Sequence, residues 1–295
     1  MKVTKRTLSE SAVMNLVRTS LLEEVYTTPK PGLVDKADNG AHKDMDIAVF
    51  ERSTQAISPY IAKMYTAGKN AIQPLPLLFG EIRRIGVLAE KAMFEATLGV
   101  NTHKGAIFTL GILAASLGYA VAHTTGDFEI FDVLTVARDM TYDALEEDFV
   151  QMSARTPLTH GEVLYAKYRE RGIRGQAQEG FPIIREIAYP YYYYLTQYSV
   201  EPNLRNVMTL LFIIANLKDT NVMSRSSPET LDELQADAMG ILDSTFLFTP
   251  YDIEKVYALN KKCIEKNISP GGAADILAAT LFLYHTEEFI ESKQS

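Results

Sequence analysis

Cysteine is almost absent from this 295-residue sequence, which contains only Cys263. A single cysteine excludes an intramolecular disulfide and a metal site built from several thiolates. Sparing use of cysteine is typical of proteins that work in a reducing compartment. We therefore expect a soluble, cytoplasmic protein without disulfide cross-links.

Features of membrane targeting are also lacking. The first six residues lead into an amphipathic stretch, and not into the apolar core and cleavage site of a secretory signal. No apolar run approaches the ~20 residues that a membrane-spanning helix needs. We therefore expect no membrane partner.

A surplus of positive charge is missing as well. The 29 Lys and Arg residues against 37 Asp and Glu residues give a formal net charge of −8. Nucleic-acid-binding proteins usually carry a basic face, so this balance argues against a nucleic-acid partner. A small anionic substrate is compatible with it, because one Lys at about 4 Å from a phosphate contributes roughly 4 kcal/mol at an effective dielectric of 20.

Strand-like alternation is scarce, whereas apolar residues recur at helical spacing along most of the chain. Two stretches, 105–118 and 273–283, are apolar on all sides and contain almost no charge. Such helices usually lie at the centre of a bundle. We predict an all-α fold, in which residues 1–295 form a single-domain bundle of about ten helices with two buried central helices.

The segment from Thr28 to Asp46 is too polar and too irregular for a packing element. Two prolines and two glycines prevent a regular helix, yet nine of its residues are charged or are Asn or His. Long ordered loops are more often functional than not. We interpret the segment as part of an active site, and a solvated connector is the alternative.

A second polar segment comes directly before the first buried stretch. Asn101 or Thr102 is expected to cap that helix, with His103 and Lys104 beside its free N–H groups. A helix N-terminus with a neighbouring cation is suited to binding phosphate. An ordinary cap without ligand is the alternative interpretation.

The second buried stretch begins in the same way. Gly271 and Gly272 permit close approach of a ligand to the backbone, and Asp275 places a carboxylate in an otherwise apolar helix. A buried carboxylate needs a partner, which is either a ligand or a neighbouring Arg.

Six short motifs, in this order, resemble the triphosphoribosyl-dephospho-CoA synthase family. They are Lys-Pro-Gly-Leu-Val-Asp (30–35), Asn-Gly-Ala-His-Lys-Asp-Met (39–45), Gly-Val-Asn-Thr-His-Lys-Gly (99–105), Gly-Phe-Pro (180–182), Asp-Thr-Asn-Val (219–222) and Asn-Ile-Ser-Pro-Gly-Gly (267–272). The resemblance extends from about Leu21 to Leu283, and several motifs in one order are far more specific than one short pattern.

The resemblance implies an all-α transferase that joins the triphosphoribosyl group of ATP to the 2′-hydroxyl of 3′-dephospho-CoA and releases adenine. The product is the prosthetic-group precursor of the acyl carrier proteins of citrate lyase or malonate decarboxylase, and we favour citrate lyase. A separate transferase is expected to load it onto the carrier, because this chain has no room for a fused loading domain.

Two motifs depart from the family pattern. The family often has Arg-Gly-Glu-Ala-Glu where this chain has two amides, Gln176 and Gln178, to which we assign no metal or base role. It also often has two glycines where this chain has Ser226 and Ser227.

The resemblance and the residue chemistry together give a set of candidate site residues. The catalytic candidates are Asp35, His42, Asp44, His103 and Asp219. The candidates for binding substrate and phosphate are Lys30, Gly32, Asn39, Lys43, Asn101, Thr102, Lys104, Gly105, Arg174, Asn221, Arg225, Gly271, Gly272 and Asp275. Asp35 and Asp219 are also candidate ligands for Mg²⁺, which prefers oxygen donors and would accompany ATP.

Two other functions are compatible with the sequence. A metal-dependent nucleotide or phosphoester hydrolase would release phosphate, whereas the transferase would release adenine. A non-catalytic helical binding module would show no thermal shift with ATP.

Overall fold

A computed structural model describes residues 2–3, 8–124, 128–154, 156–157, 159–243 and 249–292. In these ranges the chain is helical, apart from loops and one antiparallel pair of two-residue strands, Lys2–Val3 and Phe128–Glu129. The helices are α1 (Glu10–Tyr26), α2 (Ile47–Lys69), α3 (Leu75–Ala96), α4 (Lys104–His123), α5 (Ile130–Ser153), α6 (His160–Tyr168), α7 (Gly172–Gln178), a π-helical turn (Ile183–Ala188), α8 (Tyr189–Gln197), α9 (Pro202–Asn216), α10 (Thr220–Arg225), α11 (Pro228–Leu242), α12 (Pro250–Glu265) and α13 (Gly271–Ser292).

The all-α prediction is confirmed, but the described residues form thirteen α-helices where about ten were expected. The difference comes from short helices such as α7 and α10, which have seven and six residues. Fewer than two turns are too short to show an apolar period.

The two stretches predicted to be buried form the central helices. Both α4 and α13 are buried along most of their length and pack against each other. The expectation that no apolar run approaches membrane-spanning length is wrong, because the 20-residue helix Lys104–His123 contains an 18-residue window with a mean hydropathy of 1.8. Of this window, 78% is buried inside the protein, as is typical of a core helix.

Helices α2 and α4 touch through their backbones. A Cβ atom on Gly68 of α2 would lie 1.9 Å from the carbonyl oxygen of Ala115, and one on Gly118 of α4 would lie 2.1 Å from that of Tyr65. Neither distance is compatible with a side chain. This contact fixes α4 against α2 and thereby sets the position of the N-terminal end of α4.

We expect Gly68→Ala to destabilise the protein by about 1–3 kcal/mol, the usual cost of overpacking a core. Gly80→Ala is the matched control, because Gly80 lies in α3 with no atom within 4 Å of its added Cβ. Chemical denaturation of both variants checks this, and equal stability of the two would contradict the close contact.

Candidate active site

The N-terminal ends of α4 and α13 open onto one cavity of about 170 Å³. Most of the predicted site residues line it: Lys30, His42, Asn101, Thr102, His103, Lys104, Gly105, Asn221, Arg225, Gly271 and Asp275. The segment 28–46, the two helix starts and the 219–225 cluster therefore meet at one place, although they are far apart in sequence.

The remaining predicted residues do not line this cavity. Asn39, Lys43 and Asp44 are exposed, and Gly272 is half-buried. Gly32, Asp35 and Asp219 are buried outside the lining of this cavity, and Arg174 lines a neighbouring cavity.

Asp35 and Gly32 shape the loop that carries Lys30. The Asp35 carboxylate accepts hydrogen bonds from the backbone N–H groups of Lys30 at 2.8 Å and Ala37 at 2.6 Å. Gly32 has a φ of +70°, and an added Cβ would lie 2.1 Å from the carbonyl oxygen of Ile268. Both residues therefore act on the backbone, and the loop they hold presents Lys30 to the cavity.

Asp219 holds two helix starts together. Its carboxylate accepts hydrogen bonds from the N–H groups of Asn221 at 2.8 Å, in α10, and Ala273 at 3.0 Å, in α13. Burial raises the pKa of Asp219, and these backbone donors oppose that effect. The residue therefore caps both helices beside the cavity.

The role of Asp35 and Asp219 as Mg²⁺ ligands stays a prediction. The oxygens of both carboxylates are engaged by backbone N–H groups. Within the described part of the chain, no group of three or more His, Cys, Asp or Glu side chains is arranged to hold a metal.

Glu24 is a cavity residue that the sequence reasoning missed. Lys30 Nζ donates to Glu24 Oε1 at 2.5 Å and to the Glu24 carbonyl oxygen at 2.8 Å, and both side chains are buried. Burial raises the pKa of Glu24, and the Lys30 charge partly opposes this. In the sequence, Glu24 could have been noticed as a charged residue on the apolar face of α1, four residues after Ser20, which is also buried.

Asp275 brings a second carboxyl group to the same cavity. It approaches the start of α4 so closely that an added Cβ on Gly105 would lie only 1.9 Å from its Oδ2, and the neighbouring N–H of Ala106 lowers its pKa as a backbone donor. Burial, followed by the charges of Glu24 and Asp219, raises the pKa of Asp275 well above its ordinary value. Asp275 is therefore the carboxyl of the site that is most readily protonated.

His103 lies on the wall as a neutral hydrogen-bond donor. Thr102 donates to Ser53 Oγ at 2.7 Å, which leaves the Ser53 hydroxyl to donate to His103 Nδ1 at 2.7 Å. The ring proton is then on Nε2, which is buried and has no partner among the described residues. Burial lowers the pKa of His103 to about 3, so a binding role suits it better than proton transfer.

His42 is also held by neighbours at the cavity. Its Nε2 is 2.8 Å from Ser269 Oγ, and Arg225 Nη2 lies 3.4 Å from its Nδ1. Because a guanidinium only donates, Nδ1 is the acceptor and Nε2–H faces the serine. Burial and the Arg225 charge lower the pKa of His42.

The two amides that depart from the family pattern have packing roles. Gln178 is buried, and its amide donates to the carbonyl oxygen of Tyr142 and accepts from Arg171. Gln176 accepts from the N–H of Ile183. Neither residue lines the cavity.

Comparison with known proteins agrees with the motif resemblance. A family model described as "CitG: ATP:dephospho-CoA triphosphoribosyl transferase" matches residues 10–294. A 2-(5''-triphosphoribosyl)-3'-dephosphocoenzyme-A synthase from Escherichia fergusonii is 35% identical over 282 residues, which are 94% of this chain and 92% of the relative. One from Pectobacterium atrosepticum is 37% identical over 270 residues, 90% of this chain and 86% of the relative.

A third relative is longer than this chain. Protein CitXG from Leuconostoc mesenteroides subsp. cremoris is 37% identical over 281 residues, which are 94% of this chain but 59% of that protein. No solved structure matches significantly.

The family model and the similar synthases define the chain as an enzyme of the transferase class. It belongs to the CitG family of ATP:dephospho-CoA triphosphoribosyl transferases.

We expect His103 to stay neutral between pH 5 and 8, because its pKa lies near 3. Unfolded histidine has a pKa of about 6.5, so the folded protein should lose stability as the pH falls below that value. NMR titration of the imidazole signals, assigned with His103→Gln, checks this. A midpoint near 6.5 for His103 would contradict its burial as a neutral ring.

Proposed function

We propose that this protein transfers the 5-triphosphoribosyl group of ATP to the 2′-hydroxyl of 3′-dephospho-CoA and releases adenine. The product is 2′-(5″-triphosphoribosyl)-3′-dephospho-CoA. The observation that carries the proposal is the pair of carboxyl groups, Glu24 and Asp275, on one cavity beside Lys30, Lys104 and Arg225. Membership of the CitG family supports the same reaction.

The reaction exchanges one bond at the anomeric carbon for another. The bond between C1′ of the ATP ribose and adenine breaks, and the bond from C1′ to the acceptor oxygen forms. Such displacements pass through an oxocarbenium-like state that flanking carboxylates stabilise. The acceptor hydroxyl loses a proton and the purine gains one, so the site needs one base and one acid.

The two carboxyl groups of the cavity suit these opposite tasks. Asp275 has the pKa that is raised well above its ordinary value, so it is the proton donor to the leaving adenine. Glu24 has Lys30 as a direct cationic partner, whose charge opposes the rise in pKa that burial causes, and it is the acceptor of the hydroxyl proton. Burial raises both pKa values, but only Glu24 has a cation beside it, and such a difference in environment divides acid and base roles.

The triphosphate is retained in the product, so its binding energy is free to position the ribose. The N-terminal ends of α4 and α13 provide backbone donors and positive dipole ends at the cavity. Arg225 and Lys104 add cationic charge. The neutral His103 Nε2–H is a further donor for the ribose or a phosphate oxygen.

Mg²⁺ is proposed to enter with the nucleotide. In nucleotide sites Mg²⁺ is usually held by substrate phosphates with one or two carboxylates, and not by a complete protein cage. No step of the proposed reaction passes through it. Two further points stay predictions. The product is expected to serve citrate lyase and not malonate decarboxylase, and a separate transferase is expected to load it onto the carrier protein.

Incubation with ATP, Mg²⁺ and 3′-dephospho-CoA is expected to yield free adenine and the triphosphoribosyl adduct in equal amounts. Mass spectrometry of the adduct and chromatography of adenine measure this. Release of phosphate without adenine would instead support the hydrolase, the second candidate from the sequence.

Asp275→Asn is expected to lower kcat by about 10²–10⁴, the usual contribution of one acid–base group. The same change should preserve or raise thermal stability. The folded pKa of Asp275 is above its unfolded value, so the ionised form opposes folding increasingly as the pH rises above the unfolded pKa. In the wild type, activity should fall as the pH rises through that raised pKa.

Asp232→Asn is the matched control, because Asp232 is exposed on α11 and lines neither cavity. Steady-state kinetics and thermal melts of both variants make the comparison. Wild-type kcat in Asp275→Asn would remove Asp275 from the acid role.

A further inference from the structure

A second cavity lies next to the candidate active site and shares a wall with it. Lys104 and Gly105, at the start of α4, line both cavities. The second cavity has a volume of about 440 Å³ against about 170 Å³ for the first. It is bounded by side chains from α2, α3, α4, α5 and α7.

The walls of this second cavity are largely apolar. Phe79, Ile82, Ile107, Phe108 and Ile112 supply much of the surface. A volume of this size and an apolar lining with a few polar groups are typical of sites for organic ligands.

Charged groups in the second cavity are mostly paired with one another. Arg83 pairs with Asp148, and Lys104 Nζ lies 2.9 Å from Glu90 Oε2. Arg174 differs, because it has no carboxylate partner within the described ranges and its Nη1 instead lies 3.4 Å from Met152 Sδ. A guanidinium without a counter-charge in a cavity is available to a phosphate group.

We propose that the second cavity binds the pantetheine arm of 3′-dephospho-CoA, an inference that rests on the proposed function. The acceptor has an adenosine at one end, a diphosphate in the middle and pantetheine at the other end. Its 2′-hydroxyl must reach the carboxyl groups of the first cavity. Its diphosphate then lies between Lys104 and Arg174, and its arm enters the apolar space beyond them.

Pantetheine fits this lining better than the adenine of ATP. The arm presents methylene groups and two methyl groups on one carbon, and its polar groups are two amides, one hydroxyl and a terminal thiol spaced along its length. A purine carries ring nitrogens and an amino group around its edge, and burying them without partners is costly.

Gly86 provides a way to fill the second cavity without disturbing the first. It lies in the interior of α3, and its added Cβ would contact only Met64 Cε, at an ordinary 3.7 Å. A leucine is also a better helix former than glycine. Gly80→Leu is the matched control, since Gly80 lies on the same helix and lines neither cavity.

We expect Gly86→Leu to raise the KM for 3′-dephospho-CoA by about tenfold or more, equivalent to losing the burial of about two methylene groups. The KM for ATP in Gly86→Leu should stay within about twofold of the wild-type value. In Gly80→Leu both KM values should stay within the same limit. A change of about twofold is well below the tenfold effect expected from a lost contact. In the wild type, 4′-phosphopantetheine should inhibit competitively with 3′-dephospho-CoA, and Gly86→Leu should weaken this inhibition.

A rise in the KM for ATP alone would assign the cavity to the nucleotide donor and overturn the proposal. Unchanged constants and unchanged inhibition in Gly86→Leu would also overturn it. If the wild type forms no adduct, the proposed function fails. Calorimetry of 4′-phosphopantetheine binding to the wild type and to Gly86→Leu still tests the assignment of the second cavity.

Hydrogen exchange of the wild type gives a result that does not depend on the variant folding. Binding of 4′-phosphopantetheine should protect amides in α3 and α7. Protection confined to residues 28–46 would contradict the assignment.

Discussion

The close approach of the Asp275 carboxyl to Gly105, with the N–H of Ala106 beside it as a backbone donor, is the interaction on which the site depends. It joins the first turns of the two central helices, which otherwise only pack side by side. Gly105 makes it possible, because any side chain there would occupy the position of the carboxyl. The same carboxyl faces the cavity, so one group orders the frame and stays available for chemistry. The cost is a half-buried acid held near the charges of two other acids, Glu24 and Asp219.

Asp219 makes a similar connection between helix starts, outside the lining of the cavity. It joins the starts of α10 and α13 through backbone N–H groups, as Asp275 reaches the start of α4. Three helix N-termini are thus directed at one region by two carboxyl groups from distant parts of the chain. Helix ends gathered in this way favour anions, because their partial positive charges add where water is excluded. The formal net charge of −8 is no obstacle to such local attraction.

Much of the site could be predicted because its signals are local in sequence. Glycines and a polar loop before an apolar stretch located the starts of α4 and α13, and the structure brings both to one cavity. The expected cap was wrong, because the N-cap of α4 is His103, which makes no side-chain cap hydrogen bond. Asn101 Oδ1 still accepts from the N–H of Lys104 at 3.3 Å. The prediction did not distinguish carboxyl groups that line the cavity from those that lie outside its lining, since Asp35 and Asp275 look alike in a sequence and the structure places only Asp275 in the lining. Glu24 was missed because it belongs to an ordinary amphipathic helix, and only burial against Lys30 distinguishes it. The π-helical turn and the short helices depend on tertiary contacts that periodicity does not record.

The peptide of Lys104 and Gly105 has two cavities as neighbours, one on each side. A ligand that shifts or stiffens this peptide from one side alters the surface offered to a ligand on the other. Such coupling is reciprocal, because the change that the first ligand makes in the affinity of the second equals the change that the second makes in the affinity of the first. When such coupling is positive, the empty protein and the protein with both cavities filled are favoured over the forms with one cavity filled.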